Sequence, residues 1–153
     1  MKPSLLLLAT LFLLATACRK HNDSTTITPP KDPDVYVAGY EDISSDHSVA
    51  KLWKNGTAQL LPSSEKYAFA SSVYISGNDV YVAGSESRGS NSSVVKVWKN
   101  GVPQSLTDGS KDAFANSVYV SGSDVYVAGS ESNGTNQVAK IWKNGVPQSL
   151  TDG

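Results

Sequence analysis

The chain repeats itself, and this repeat limits its fold more than any other feature. The motif "DVYVAG" begins three times at intervals of 45 residues, at Asp34, Asp79 and Asp124. The motif "K-x-W-K-N-G" also occurs three times, around Trp53, Trp98 and Trp142. A fixed period of about 20–50 residues is typical of repeat architectures, in which each copy is one supersecondary unit. We therefore expect an array of three similar units.

The second copy indicates what each unit folds into. Its four short runs are enriched in β-branched and aromatic residues: Ser71–Gly77, Asp79–Gly84, Val94–Lys99 and Val102–Leu106. Asn100-Gly101 joins the last two runs and is the strongest short signal for a type I′ hairpin turn. Gly77-Asn78 is an equally short link between the first two. Each complete unit is therefore predicted to be a four-stranded antiparallel meander.

The second run of each unit is apolar on both of its faces. Because side chains alternate along a strand, Val80 and Val82 face one side, while Tyr81 and Ala83 face the other. Such a sheet needs a neighbour on each side, and further copies can supply it. Radially stacked four-stranded sheets of this length are the blades of a β-propeller. The predicted fold is all-β, a propeller-like array of four-stranded antiparallel meander blades with repeats of about 45 residues.

The first copy lacks an opening strand, because it starts at "DVYVAG" directly after Pro33. About eleven strands are expected, in two complete blades and one that is a strand short. Known propellers close with about 4–8 blades, so three blades make an incomplete ring. Three alternatives stay open. Two chains close a six-bladed ring, the chain is a fragment of a longer propeller, or the sheets collapse into a β-solenoid or sandwich.

The N-terminus has a different character. Lys2 precedes an apolar run from Leu5 to Ala17, which is short for a membrane span and typical of a signal-peptide core. Residues 1–17 are therefore predicted to be a signal peptide. Cys18 follows at once and is the only cysteine, so no disulfide within one chain is expected. Residues 18–33 are polar and rich in Thr and Pro, which predicts a disordered tether.

The stretch "LATAC", which ends at Cys18, resembles a bacterial lipobox, although Ala15 stands where leucine is usual. The resemblance implies cleavage before Cys18 and attachment of a diacylglycerol to its thiol. Ordinary secretion with a free thiol and an uncleaved anchor are the alternatives. The expected location is the bacterial cell envelope, with the protein lipid-anchored to a membrane, at the outer membrane or the cell surface.

The repeats from Asp34 to Gly153 also resemble those of predicted bacterial lipoproteins with tandem "VYVAG…WKNG" units. The resemblance implies an exported, propeller-like repeat domain over residues 34–153. It implies no activity.

The longest loops are predicted to lie together at one end of the meanders, as Ser85–Ser93, Thr107–Ala115 and their counterparts. Grouped loops are the usual binding surface of such a fold. Two sets of equivalent residues are candidate ligand contacts: Glu41, Glu86 and Glu131, and Trp53, Trp98 and Trp142. For the tryptophans, packing between blades is favoured over ligand stacking. For the loops, a purely solvated surface competes with binding. No Asp-x-Asp-x-Asp spacing is present, so no metal site is predicted.

Composition and the absence of catalytic motifs reduce the number of function classes that fit the sequence. The formal net charge is −1 with 18% charged residues, which gives no basic excess to attract nucleic acid. No nucleophile-elbow, zinc-protease or phosphate-loop motif is present, so no catalytic residue and no cofactor is predicted. The sequence favours a binding or scaffold module for a glycan or protein ligand, with self-association to complete the ring. The alternatives are a glycan-active hydrolase or lyase completed by oligomerisation, and a truncated fragment of a longer propeller protein.

Overall fold

The computed structural model describes residues 32–87 and 92–153, and over these ranges the protein is built from β-strands. The predicted signal peptide, Cys18 and nearly all of the predicted tether lie outside the described residues. Eleven strands follow one another: β1 Tyr36–Ser44, β2 His47–Lys54, β3 Thr57–Leu60, β4 Tyr67–Ser76, β5 Asp79–Ser87, β6 Ser93–Lys99, β7 Val102–Ser105, β8 Ala113–Ser121, β9 Asp124–Ser132, β10 Gln137–Lys143 and β11 Val146–Ser149. Within the described ranges, no helix has the length and apolar character needed to cross a membrane.

The strands form three antiparallel meanders. Meander 1 contains β1–β3, meander 2 contains β4–β7 and meander 3 contains β8–β11. Within the described residues, the prediction of eleven strands, with the first unit one strand short, is confirmed. A single parallel bridge between Ser48 and Tyr67 joins meanders 1 and 2 into one seven-stranded sheet, while meander 3 is a separate four-stranded sheet.

Two kinds of two-residue turn close five of the hairpins, those that join β2 to β3, β4 to β5, β6 to β7, β8 to β9 and β10 to β11. In the "KNG" turns the asparagine has a φ of 51–52° and the glycine a φ of 81–83°, which is the type I′ pattern that the sequence predicts. In the turns after β4 and β8, Gly77 and Gly122 have a φ of 59°, while the residue after each has no positive φ. Positive φ at the first central position alone fits a type II′ turn. Both types match the twist of the flanking strands.

The strands reach further than the sequence predicts. β5 runs to Ser87, and β8 already begins at Ala113, so the ends of both predicted loops are strand. The longer strands follow from a β-bulge in β4 and another in β8. In each bulge one extra residue shifts the register, so that both halves of the bulged strand can pair with the strand that follows it. Gly84 lies at the bulge of β4. A Cβ there would collide with the carbonyl oxygen of Phe69, so the position requires glycine.

The core lies between the meanders, in two clusters. We call the side of each meander that carries its tryptophan the leading face, and the opposite side the trailing face. The trailing face of meander 1 packs against the leading face of meander 2, through Ala50, Leu52, Leu61, Ala68, Ala70, Val82 and Trp98. The same arrangement joins meanders 2 and 3, through Tyr81, Ala83, Val95, Val97, Ala113, Ala115, Val118, Val120, Val127 and Trp142. The prediction that both faces of the second strand are covered is therefore confirmed for β5.

Candidate functional site

Two of the three tryptophans are core residues. Trp98 is 0% exposed and Trp142 is 1% exposed, each within one of the two clusters between meanders. The indole Nε1 of Trp98 donates a hydrogen bond of 2.9 Å to the carbonyl oxygen of Pro62, which ties the loop after β3 to meander 2. Trp53 is only half-buried, since no described meander covers the leading face of meander 1. Packing between meanders accounts for Trp98 and Trp142.

The three glutamates lie on strands rather than in the predicted loops, because those strands continue past the glycine of "DVYVAG". Each pairs with a lysine on the next strand, two residues before the tryptophan. The pairs are Glu41–Lys51, Glu86–Lys96 and Glu131–Lys140. The repeated lysine in "K-x-W-K-N-G" was the sequence signal for these pairs. The pairing itself depends on strand register, which the motif does not reveal.

Position in the array decides how exposed each glutamate is. The side chain of Glu41, on the uncovered leading face of meander 1, is 53% exposed. Glu86 and Glu131 lie on covered leading faces, with exposures of 1% and 15%. Nζ of Lys96 lies 3.0 Å from Oε2 of Glu86, while Oε1 of Glu86 has no hydrogen-bond partner in the part of the chain that the structure describes. Glu86 is therefore a buried ionic group of the core and presents no surface to a ligand.

The sequence did not lead to a prediction of a second repeated contact, although both motifs that form this contact are present in it. In meander 2, Oδ1 of Asp79 accepts a hydrogen bond from Nδ2 of Asn100, and Oδ2 of Asp79 pairs with Nζ of Lys99, both at 2.8 Å. Oδ1 of Asn100 in turn accepts a hydrogen bond of 2.9 Å from the amide of Val80. Meanders 1 and 3 repeat the arrangement at Asp34 and Asp124. The motifs "DVY" and "WKNG" thus form one lock that holds each type I′ turn against the start of the second strand.

These locks predict a loss of stability in acid. Hydrogen bonds from Lys99 and Asn100 lower the pKa of Asp79 below its ordinary value of 3.8, and Lys143 and Asn144 do the same for Asp124. A carboxyl whose pKa is lowered by folding stabilises the fold above its unfolded pKa, and the contribution disappears as pH falls through the folded pKa.

We expect the double variant Asp79→Asn/Asp124→Asn to unfold at lower urea concentration than the natural chain at pH 6. The gap should narrow as pH falls below 3.8 and through the lowered folded pKa values, because the carboxyls of the natural chain then become protonated and lose their ionic contacts. Urea midpoints of the two proteins, measured from pH 6 downwards for as long as both stay folded, give the measurement. A gap that widens as the pH falls would contradict the lock.

A polar concave surface lies at the loop end, between meanders 2 and 3. An open depression of about 410 Å³ is lined by the loop after β7 together with side chains of meander 3; its polar lining includes Thr107, Asp108, Ser110, Lys111 and Glu131, and Trp142 forms part of its wall. A second depression of about 410 Å³ shares Lys111 and Glu131 and adds Asn133 and Asp152. The fold therefore brings together two of the predicted contact residues, Glu131 and Trp142, but leaves Glu41 and Glu86 elsewhere.

Within this loop-end surface the charges are ordered by local contacts. The amide of Ser110 donates a hydrogen bond of 2.8 Å to Oδ1 of Asp108, and the contacts with Ser110 lower the pKa of Asp108. Lys111 is exposed beside it. Carboxylates, hydroxyls and an ammonium group within one concave surface can exchange hydrogen bonds with the hydroxyls of a sugar or the backbone of a peptide.

A smaller cavity of about 240 Å³ lies at the opposite, tight-turn end of the same pair of meanders. Its walls combine the core side chains Tyr81, Val97, Val127 and Trp142 with the polar side chains Lys99, Gln104, Ser123 and Asn144, so it is a partly polar gap in the packing between meanders. Within residues 32–87 and 92–153, no three His, Cys, Asp or Glu side chains come together in a way that could hold a metal ion. Comparison of the chain with protein-family models, curated proteins and solved structures found no match.

Proposed function

We propose that the protein is a binding and scaffold module of the bacterial cell envelope, anchored through a lipid on Cys18. Its three meanders act as consecutive blades of a propeller-like array. The "LATAC" stretch supports the anchor, and the stacking of leading face on trailing face at both internal contacts supports the array. The function itself rests on one observation, the loop-end surface around Asp108, Lys111 and Glu131.

A glycan is the ligand that this surface fits best. Its two depressions are open and lined by carboxylate, hydroxyl, amide and ammonium groups, as suits a hydroxyl-rich ligand at a solvated site.

Full-length protein in a mild detergent, applied to an array of bacterial envelope glycans, tests this function. We expect retention on at least one glycan class, and at least tenfold weaker binding in the variant Asp108→Ala/Lys111→Ala. The matched control is Ser63→Ala/Lys66→Ala, which changes the equivalent loop after β3 and should bind normally. No retention of the natural chain, or equal loss in both variants, would reject the loop-end site.

The proposed array is completed by a second copy of the chain. Val37, on the uncovered leading face of meander 1, is 52% exposed, whereas its equivalents Val82 and Val127 are 1% exposed at the internal contacts. On the trailing face of meander 3, Ala128 is exposed, whereas its equivalent Ala83 is fully buried. The two end faces therefore correspond to the two faces that pack together at each internal contact. If the leading face of one copy packed on the trailing face of the other, this head-to-tail contact would cover both kinds of end face.

Light scattering on the full-length protein in detergent measures this association. We expect a discrete dimer of the polypeptide, and a monomer for the variant Val37→Asp, because a charge would then have to be buried against the partner. The control is Val102→Asp on the outer strand β7, because Val102 is exposed and lies on neither end face. A natural chain that stays monomeric would reject closure by a second copy.

A further inference from the structure

We propose that the free edge of β1 is an acceptor for one extended antiparallel strand from another polypeptide, with the sequence character of β4 and β8. In meanders 2 and 3, the second strand lies between the first and third strands. In meander 1 the equivalent strand, β1, pairs with β2 on one side, and no strand among the described residues pairs with its other edge. An uncovered edge presents a row of backbone donors and acceptors to which a further strand can bind.

Gly39 is the observation that points to a strand in this place. Its equivalents Gly84 and Gly129 are required because the carbonyl oxygens of Phe69 and Phe114, at the bulges of the first strands, pass where a Cβ would be. No such carbonyl passes Gly39 within the described ranges, where an added Cβ meets only the ring of Trp53, at 3.2 Å. Glycine inside a strand weakens it and often marks a close approach of another backbone. β1 therefore keeps the space that a bulged first strand needs.

The side chains of β1 define the register of the added strand. Val73 of β4 lies opposite Val82, and Val118 of β8 lies opposite Val127. Val37 of β1 is the equivalent of Val82 and Val127, and it is half exposed. An added strand in the same register would place its own valine opposite Val37, and its "S-V-Y" segment would run antiparallel to Tyr36–Ala38.

A contact between meanders adds a preference for serine in the added strand. The amide of Val118 donates a hydrogen bond of 3.2 Å to Oγ of Ser72, which joins the first strands of meanders 2 and 3. Meander 2 has the equivalent amide at Val73, and the serine to match it would belong to a first strand of meander 1. The acceptor edge thus selects an extended segment of the form Ala-Phe-Ala-x-Ser-Val-Tyr-Val-Ser, as in β8. This inference involves neither the loop-end surface nor its ligand.

A synthetic peptide with the sequence of Ala113–Ser121, labelled with a fluorophore, tests the proposal in titrations of the full-length protein. We expect saturable binding that is at least tenfold weaker for a scrambled peptide and several-fold weaker for the peptide with Ser117→Ala. The protein variant Gly39→Val should lose binding at least tenfold, since its side chain would fill the space of the incoming carbonyl. The control Gln59→Val, on the outer strand β3, should bind as the natural chain does.

Gly39→Val is expected to fold, because the half-buried ring of Trp53 can move aside. Its urea midpoint checks this, and the Ser117→Ala peptide tests the register without any change in the protein. Absence of saturable binding to the natural chain would overturn the proposal. So would equal binding of the scrambled peptide, or undiminished binding to folded Gly39→Val.

Discussion

Replacing Trp98 by alanine is expected to lower the free energy of unfolding by about 3–5 kcal/mol, the range observed for large aromatic side chains removed from a packed core. Trp98 is fully buried between meanders 1 and 2, and its Nε1 also holds the carbonyl oxygen of Pro62. The variant loses apolar burial, leaves a cavity and leaves that carbonyl without its donor. Trp53→Ala is the matched control and should cost less than about 2 kcal/mol, because the apolar area that Trp53 removes from water is smaller.

Urea denaturation of the three proteins, followed by tyrosine and tryptophan fluorescence and by circular dichroism, gives the comparison. In repeat arrays stability is a sum of terms within units and between neighbours, so Trp98→Ala should also separate the unfolding of meander 1 from that of meanders 2 and 3. The two probes should then give different midpoints for this variant. Equal losses at Trp98 and Trp53, with a single transition in each, would show that the contact between meanders does not depend on Trp98.

Much of the fold follows from the sequence because its signals are local. The Asn-Gly pairs specify type I′ turns, and the alternation around Val82 and Ala83 specifies sheets covered on both faces. The extent of the strands, by contrast, is not set by local sequence signals. Whether Glu86 and Ala113 belong to strand or loop depends on the bulges of β4 and β8, which appear only once the strands are paired.

The candidate site illustrates the same limit. Glu41, Glu86 and Glu131 occupy equivalent positions in the sequence, yet one is exposed, one is buried and one borders the loop-end surface. A repeat motif fixes the position of a residue on its strand, whereas the neighbouring meander fixes its environment. Asp108 and Lys111 belong to the loop that the sequence singles out, but only the packing of meander 3 against meander 2 gives this loop a concave surface.

The Glu86–Lys96 pair leads to the second large effect. Removing the lysine by Lys96→Met is expected to lower the free energy of unfolding by about 3–5 kcal/mol, because it leaves a carboxylate buried without its partner. Oε1 of Glu86 already lacks a hydrogen-bond partner in the described residues, so the protein offers little to replace the ammonium group. The equivalent change Lys51→Met should cost about 0–1 kcal/mol, as for a surface ion pair, because Glu41 is half exposed and water can solvate it.

The double variant Glu86→Met/Lys96→Met separates the loss of the pair from the loss of packing. Two apolar side chains of similar length need no desolvation of charge, and replacing a buried ion pair in this way is often neutral or stabilising. We therefore expect the double variant to recover most of the stability that Lys96→Met loses, when urea midpoints are compared under identical conditions. If the double variant is as unstable as the single one, the pair contributes packing shape rather than charge compensation. If Lys51→Met and Lys96→Met lose the same amount, burial by the neighbouring meander does not govern the strength of these pairs.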